Sequence, residues 1–303
     1  MNNISAVIIV KDQPPHLFET IDSLNDFVSE IVIVDIGITS SLNEKLQLHK
    51  NIHIVHLQKE VPYVELIREE TKQYAKNNNV LFIDPDEILS NEAKKIIKQE
   101  LHHYSYFSFP RKNIIFKKWI QHSRWWPDYQ IRLFKKESVI WPKQIHHQPQ
   151  TNGKAYIFPS EEKYALVHYN YDNIDHYFNK YLRYAKAQAT ESVRSNQPLT
   201  IAGSLKQALL EFMSRFFADE GFKDGIHGFV LSLLQMFYPI VVYFYFWEMN
   251  SYKQEKSHEK IADEAQYFFQ QGLKETNYWM TKKNGKKGIM NKIRSALINI
   301  LLK

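Results

Sequence analysis

The chain contains no cysteine. That absence excludes disulfides, zinc–thiolate sites and thiol catalysis together. No glycine-rich phosphate loop follows the first apolar run, where Lys11, Asp12 and Gln13 stand instead, so nucleotidyl transfer on an α/β sheet lacks its usual phosphate cradle. Internal repeats and low-complexity linkers are missing too. The opening "MNNISAVIIVKDQ" has neither the basic start nor the long apolar run of a signal peptide, and a cytoplasmic location is expected from it.

What is present is 303 residues, 44% of them hydrophobic, enough for one large domain or one and a half. A net charge of +6 suits a partner that carries phosphates: a nucleotide, a nucleic acid or anionic lipid. The basic residues gather in the C-terminal tail without a recognised nucleic-acid motif, which sets nucleic acid aside.

The first hundred residues alternate strand with helix. "ISAVIIV" (Ile4 to Val10), "EIVIVD" (Glu30 to Asp35), "NIHIVHL" (Asn51 to Leu57) and "VLFID" (Val80 to Asp84) are apolar, β-branched runs of the kind buried on both faces. Helical spacing separates them, with Leu17, Ile21 and Leu24 on one face and a further helix over "VELIREETKQYAKN". This order predicts a parallel, doubly covered sheet whose strand C-termini share one edge, and Asp35 and Asp84 lie there. A helix from Asn91 to His102 is expected next. "YSYFSFPRKNIIF" then alternates like an antiparallel strand, Tyr129 to Trp141 reads as a hairpin, and "GKAYIFP" as another strand.

From Asn173 the pattern is helical, with Tyr177, Tyr181 and Tyr184 near one stripe. Residues 228–247 are nearly uncharged and just long enough to span a bilayer, but they contain Ser232, Gln235 and Pro239. A helix pair, buried or lying at the membrane interface, is the expectation over a true span. The tail, residues 286–303, sets Ile289, Met290, Ile293, Leu297, Ile300 and Leu301 at helical spacing among Lys286, Lys287, Lys292 and Arg294. Such a basic amphipathic helix binds anionic membrane surfaces; the alternatives are a homo-oligomer contact or packing on the body.

The stretch "NNNVLFIDPDEILSNEA" ends a buried run in Asp84, Asp86 and Glu87 around Pro85. Carboxylates so close repel one another unless a cation lies between them. An Asp-x-Asp at a strand end suits Mg²⁺ or Mn²⁺, which take carboxylate and phosphate oxygens together. Asp86 or Glu87 can equally cap the following helix.

These runs, with "RWWPDYQIRLFKK", "IHHQ" and "LVHYNY", resemble glycosyltransferase family 2, in the branch that includes lipopolysaccharide-core glucosyltransferases. The likeness runs in order over about residues 3–250, and its most specific pieces are the strand-Asp-Pro-Asp-Glu and Trp-Pro-Asp-x-Gln-x-Arg-Leu-Phe motifs. It implies a GT-A fold over residues 1–170 (a mostly parallel α/β sheet with helices on both faces), then a helical region over 171–303. It also implies an inverting, metal-dependent hexosyltransferase with a nucleotide diphosphate sugar as donor, UDP-hexose first, and a cell-surface glycan or glycolipid precursor as acceptor. The enzyme would be peripheral at the inner face of the plasma membrane. A peptide or protein acceptor, or a non-catalytic nucleotide-sugar-binding partner subunit, are the alternatives.

Residue by residue, the resemblance gives Asp35 a contact to the donor base, Arg68 and Lys11 a place near the nucleotide, Asp84 the ribose and metal, and Asp86 the metal itself. Glu87 would cap or brace. Asp128 would be the base that takes the acceptor proton. Trp125, Trp126 and Gln130 would hold the acceptor, and Arg132 would steady the leaving diphosphate. Bulky aromatics beside Asp128 would desolvate it and raise its pKa, and pairing with Arg132 is the structural alternative. His146 would complete the metal shell or touch the phosphates, with His168 a second candidate. Departures are His147 where the family has Glu, Asp12–Gln13 where it has Asn-Glu, and Ser40 where it has an acid.

Overall fold

The structure is a computed structural model that describes residues 3–58, 61, 63–143, 148–254 and 258–283. The chain forms two compact units. One comprises the residues up to Gln121 and from Trp125 to Asn173; the other comprises His122–Arg124 and the chain from Ile174 on.

The first unit runs β1 (Ile4–Asp12), α1 (Leu17–Leu24), β2 (Glu30–Ile38), α2 (Ser40–Gln47), β3 (Ile52–His56), α3 (Glu65–Thr71), β4 (Asn79–Phe82), β5 (Glu87–Ile88) and α4 (Asn91–Glu100). It continues with β6 (Tyr106–Ile115), β7 (Lys118–Trp119), β8 (Asp128–Lys135), β9 (Val139–Ile140), β10 (Gln150–Thr151), β11 (Ala155–Ile157) and β12 (Leu166–Tyr171). The main sheet has the order β3-β2-β1-β4-β8-β6-β12-β5, with β7 and β11 also paired to β6. β3, β2, β1 and β4 are mutually parallel, as their continuous apolar runs imply. Because side chains alternate along a strand, Ile4, Ala6, Ile8 and Val10 enter one core with Leu17 and Ile21 of α1, Leu42 of α2 and Ile97 of α4. Val7, Val32 and Val34 enter the other with Ile67 of α3. Helices therefore cover both faces, which is the α/β class expected, with a parallel half-sheet followed by antiparallel strands.

Three local expectations are corrected. Tyr129 to Trp141 is not a hairpin: β8 lies antiparallel between β4 and β6, so neither edge is free for β9, which pairs with β10. Neither Asp86 nor Glu87 caps α4; the Ala93 N–H donates to Ser90 Oγ at 3.1 Å. Residues 228–247 belong to one helix, not a pair.

The second unit contains α5 (Ile174–Arg194), α6 (Ile201–Phe212), a π-helical turn (Met213–Ala218), α7 (Ile226–Met249) and α8 (His258–Lys283). Tyr177, Tyr181, Ala185 and Ala189 form the buried stripe of α5; its two alanines pack with Val242 of α7, so the tyrosine stripe continues in small residues. A Cβ on Gly228 would sit 1.8 Å from the Gly221 carbonyl, so glycine is what lets the start of α7 approach the preceding turn. Pro239 lies inside α7. The basic tail at 286–303 is outside the described residues.

Candidate functional site

The parallel strands carry their C-terminal ends to one edge, and the acidic stretch follows the end of β4. A turn forms there: the Glu87 N–H donates to the Asp84 carbonyl at 3.0 Å, and the Asp84 N–H donates to Glu87 Oε2 at 3.1 Å. Glu87 therefore braces the loop, as expected, and its side chain is fully buried.

The cations between these carboxylates are arginines. Arg68 of α3 donates from Nη2 to Asp84 Oδ1 at 3.1 Å, and its guanidinium lies 5.1 Å from the ring centre of Trp141. Arg132 of β8 donates from Nη2 to Asp84 Oδ2 and to Glu87 Oε1. Register explains its aim. The β6–β8 pairing steps from Phe107–Leu133 to Ser108–Ile131, so Arg132 is the extra residue of a bulge. At 1% exposure it lies beneath the carboxylates, which corrects the expectation that it meets the leaving diphosphate directly. Burial works against ionisation of Asp84, but Arg132, Arg68 and Arg111 outweigh it and hold the carboxyl far below the ordinary range.

Asp128 begins β8, directly opposite Arg111 of β6. Arg111 Nε donates to Asp128 Oδ2 at 2.9 Å and Arg111 Nη2 donates to the same oxygen. Asn113 Nδ2 adds a longer bond to Oδ2 at 3.3 Å, and Gln130 Nε2 donates to Oδ1 at 2.9 Å. The partner of Asp128 is thus Arg111, not Arg132. The pKa direction is corrected with it: burial raises the Asp128 carboxyl, but Arg111, Gln130 and Asn113 leave it below its ordinary value.

β5 lies antiparallel to β12 with Glu87 opposite His168, which places Asp86 Oδ1 3.6 Å from His168 Nε2. Asn113 Nδ2 also donates to the Trp125 carbonyl at 2.7 Å, so its amide oxygen faces His168 and accepts from Nδ1 at 2.6 Å. With Nδ1 donating to Asn113, it is Nε2 that faces the Asp86 carboxylate, an arrangement that lets the two side chains share a cation. Among the described residues no group of three or more His, Asp or Glu gathers as a metal cluster. Asp86 and His168 nonetheless fit a hard divalent ion that takes its remaining ligands from phosphate oxygens and water. Asp84 is committed to its arginines. His146 lies outside the described residues.

Asp35 ends the straight part of β2. Its Oδ1 accepts the Gly37 and Ile38 N–H groups, each at 2.7 Å, and its Oδ2 is 2.6 Å from His56 Nδ1. Burial pushes this carboxyl up, and those backbone donors with His56 bring it below its ordinary value. Gly37 takes φ +122°, which the turn requires of glycine. Lys11 is exposed at the end of β1. Trp125 and Trp126 are half-buried, and the Trp126 ring meets Trp119 edge-on at 5.2 Å between centres.

Arg111, Asn113 and Trp119 were missed in the sequence. A signal for the first two was present: Phe107, Phe109, Arg111, Asn113 and Ile115 alternate in one phase, so two polar groups occupy core-phase positions of β6.

No protein-family model matches the chain. The chain is 23% identical over 254 residues to an uncharacterized glycosyltransferase of Rickettsia typhi, covering 78% of this chain and 84% of that one. It is 24% identical over 258 residues to an uncharacterized glycosyltransferase of Rickettsia felis, covering 78% and 87%. Among solved structures it is similar to S. aureus TarS 1–349 in complex with UDP-GlcNAc, at 16% identity and a TM-score of 0.42 over 78% of this chain and 81% of that one. A shorter likeness, to GalNAc-T7 with UDP, GalNAc and Mn²⁺, covers 37% of this chain and 23% of that one at 15% identity and a TM-score of 0.29.

Proposed function

We propose that the chain is a glycosyltransferase that moves a hexose with inversion from a UDP-sugar to a hydroxyl of a cell-surface glycan or glycolipid precursor, of the lipopolysaccharide-core kind. The observation that carries this reading is the joining of two carboxylate centres: Asp128 is held by Arg111, and Arg111 reaches Glu87 at 3.5 Å, within the loop of Asp84 and Asp86. The distant glycosyltransferase relatives span most of the chain and support the class.

In this reading Asp128 accepts the proton of the acceptor hydroxyl as that oxygen bonds to the anomeric carbon. The bond from that carbon to the diphosphate breaks, and its electron pair leaves on the nucleoside diphosphate. Asp86 and His168 would hold Mg²⁺ or Mn²⁺, which neutralises charge on the departing diphosphate. Asp35 and Lys11 lie on the first two strands at the edge where such sheets bind nucleotides, and Arg68 turns a guanidinium to the same loop. Trp125 and Trp126 would offer aromatic faces to a sugar ring, with Trp119 packed on Trp126 and under Lys112, and Gln130 lies beside the base.

A membrane-surface location at the cytoplasmic face is part of the same proposal, and the apolar second unit supports its membrane part. α7 is long and apolar enough to cross a bilayer, and 22% of its most apolar window is buried within the protein. Phe229, Phe237, Phe244 and Trp247 of α7 and Phe269 of α8 are exposed, rings of the kind that can enter a membrane interface. Calorimetry of UDP binding tests the donor half of the reading. Affinity should fall at least tenfold with EDTA or in Asp86→Ala; UDP binding indifferent to both would remove the metal from the proposal.

A further inference from the structure

The Asp128 carboxylate is loaded unevenly. Its Oδ2 receives three donors, Arg111 Nε, Arg111 Nη2 and Asn113 Nδ2, whereas its Oδ1 receives one, Gln130 Nε2, among the described residues. A carboxylate oxygen has about two lone-pair sites. Oδ2 is therefore saturated, and Oδ1 keeps a site for a proton to arrive. Arg111 meanwhile spans two strands' worth of acid: its Nη1 is 3.5 Å from Glu87 Oε1, and Glu87 in turn holds the Asp84 N–H and Arg132.

We propose that Arg111 is a positioning residue for the transfer step: its fork fixes the rotation of the Asp128 carboxylate so that Oδ1 takes the acceptor proton, and its grip on Glu87 sets the base at a constant distance from the donor loop. The proposal rests on the reading of Asp128 as the base. Both parts need a guanidinium. Only a planar group with three nitrogens can converge two bonds on one carboxylate oxygen and turn its third nitrogen to another acid, and a lysine ammonium at the same place supplies the charge without that geometry. The charged and titratable groups around Asp128 are Arg111 from β6, Arg132 from β8 and, through Arg111, Glu87 from β5. His168 of β12 lies on the far side of Asn113. Since the Arg111 cation holds the Asp128 carboxyl below its ordinary value, the base is ionised across the neutral range and remains so well into acid.

The test compares wild type, Arg111→Lys, Arg111→Gln and Asp128→Asn in the full-length protein. The readouts are UDP-glucose turnover against pH and a carboxyl ¹³C NMR titration of aspartate-labelled protein, in which the Asp128 signal is the one missing from Asp128→Asn. In Arg111→Gln the Asp128 titration and the acid limb of turnover should both move to higher pH. In Arg111→Lys the titration should stay near wild type while turnover falls on the order of a hundredfold, the scale expected of a misplaced group, with UDP affinity kept within threefold. An unmoved Asp128 titration in Arg111→Gln, or wild-type turnover in a folded Arg111→Lys, overturns the positioning role and leaves the base assignment standing. Near-normal turnover in Asp128→Asn overturns the base assignment itself. If Arg111→Gln does not fold, the Arg111→Lys turnover decides.

Discussion

Arg132 and Glu87 are paired out of solvent: Arg132 Nη2 donates to Glu87 Oε1 at 2.6 Å, with 1% and 0% of the two side chains exposed. A buried pair of this kind is a weak source of net stability, but breaking it strands a charge. Arg132→Met should lower stability by about 3–5 kcal/mol because buried Glu87 loses its nearest cation and Asp84 keeps only Arg68. Urea denaturation followed by circular dichroism measures this, and an unchanged midpoint would mean the acids find another partner.

The low Asp84 carboxyl gives stability a direction with pH. A folded value below the unfolded one contributes stability that is fully present above the unfolded carboxylate value, about 3.9, and is lost as pH falls through the folded value. Asp84→Asn should therefore flatten the loss of stability in acid. Parallel acid-unfolding curves for wild type and variant would contradict this.

Asn113 sets the His168 tautomer, so it should tune any ion held by Asp86 and His168. Asn113→Ala is expected to weaken Mn²⁺ affinity about 10–100-fold, the usual scale for a partner that orients a ligating histidine. Titration of free Mn²⁺ by electron paramagnetic resonance, with UDP present, reads this. Equal affinity would place the ion elsewhere.

The exposed rings of α7 bear on location. Phe237→Ser with Phe244→Ser should reduce flotation with anionic vesicles severalfold, since the apolar area that enters the interface shrinks. UDP affinity should be unchanged. Full flotation of the double variant would leave α7 to another role.

Much of the sheet was legible because strands covered on both faces must be continuous apolar runs, and β1, β2 and β4 are such runs. β8 was legible as a strand but not as to its neighbours: β4 and β6 take both its edges, a non-local choice that local alternation cannot encode. The acids of the site were legible for the same local reason, as an apolar run ending in charge. Their partners were not. Arg132 comes from 48 residues beyond Asp84, and Arg111 meets Asp128 across 17 residues through strand register. The tautomer of His168 likewise depends on Asn113, 55 residues away. The α7 run was legible as apolar, but Pro239 suggested a break that the continuous helix does not make.

The most direct measurement of the central claim is release of UDP from UDP-hexoses by the purified chain with Mn²⁺, beside Asp128→Asn. The account predicts that wild type releases UDP from at least one UDP-hexose, and that Asp128→Asn binds UDP equally well but turns over about a hundredfold more slowly or worse. No release from any UDP-hexose by folded wild-type protein, with or without acceptor glycolipid, or equal release by both forms, would contradict it.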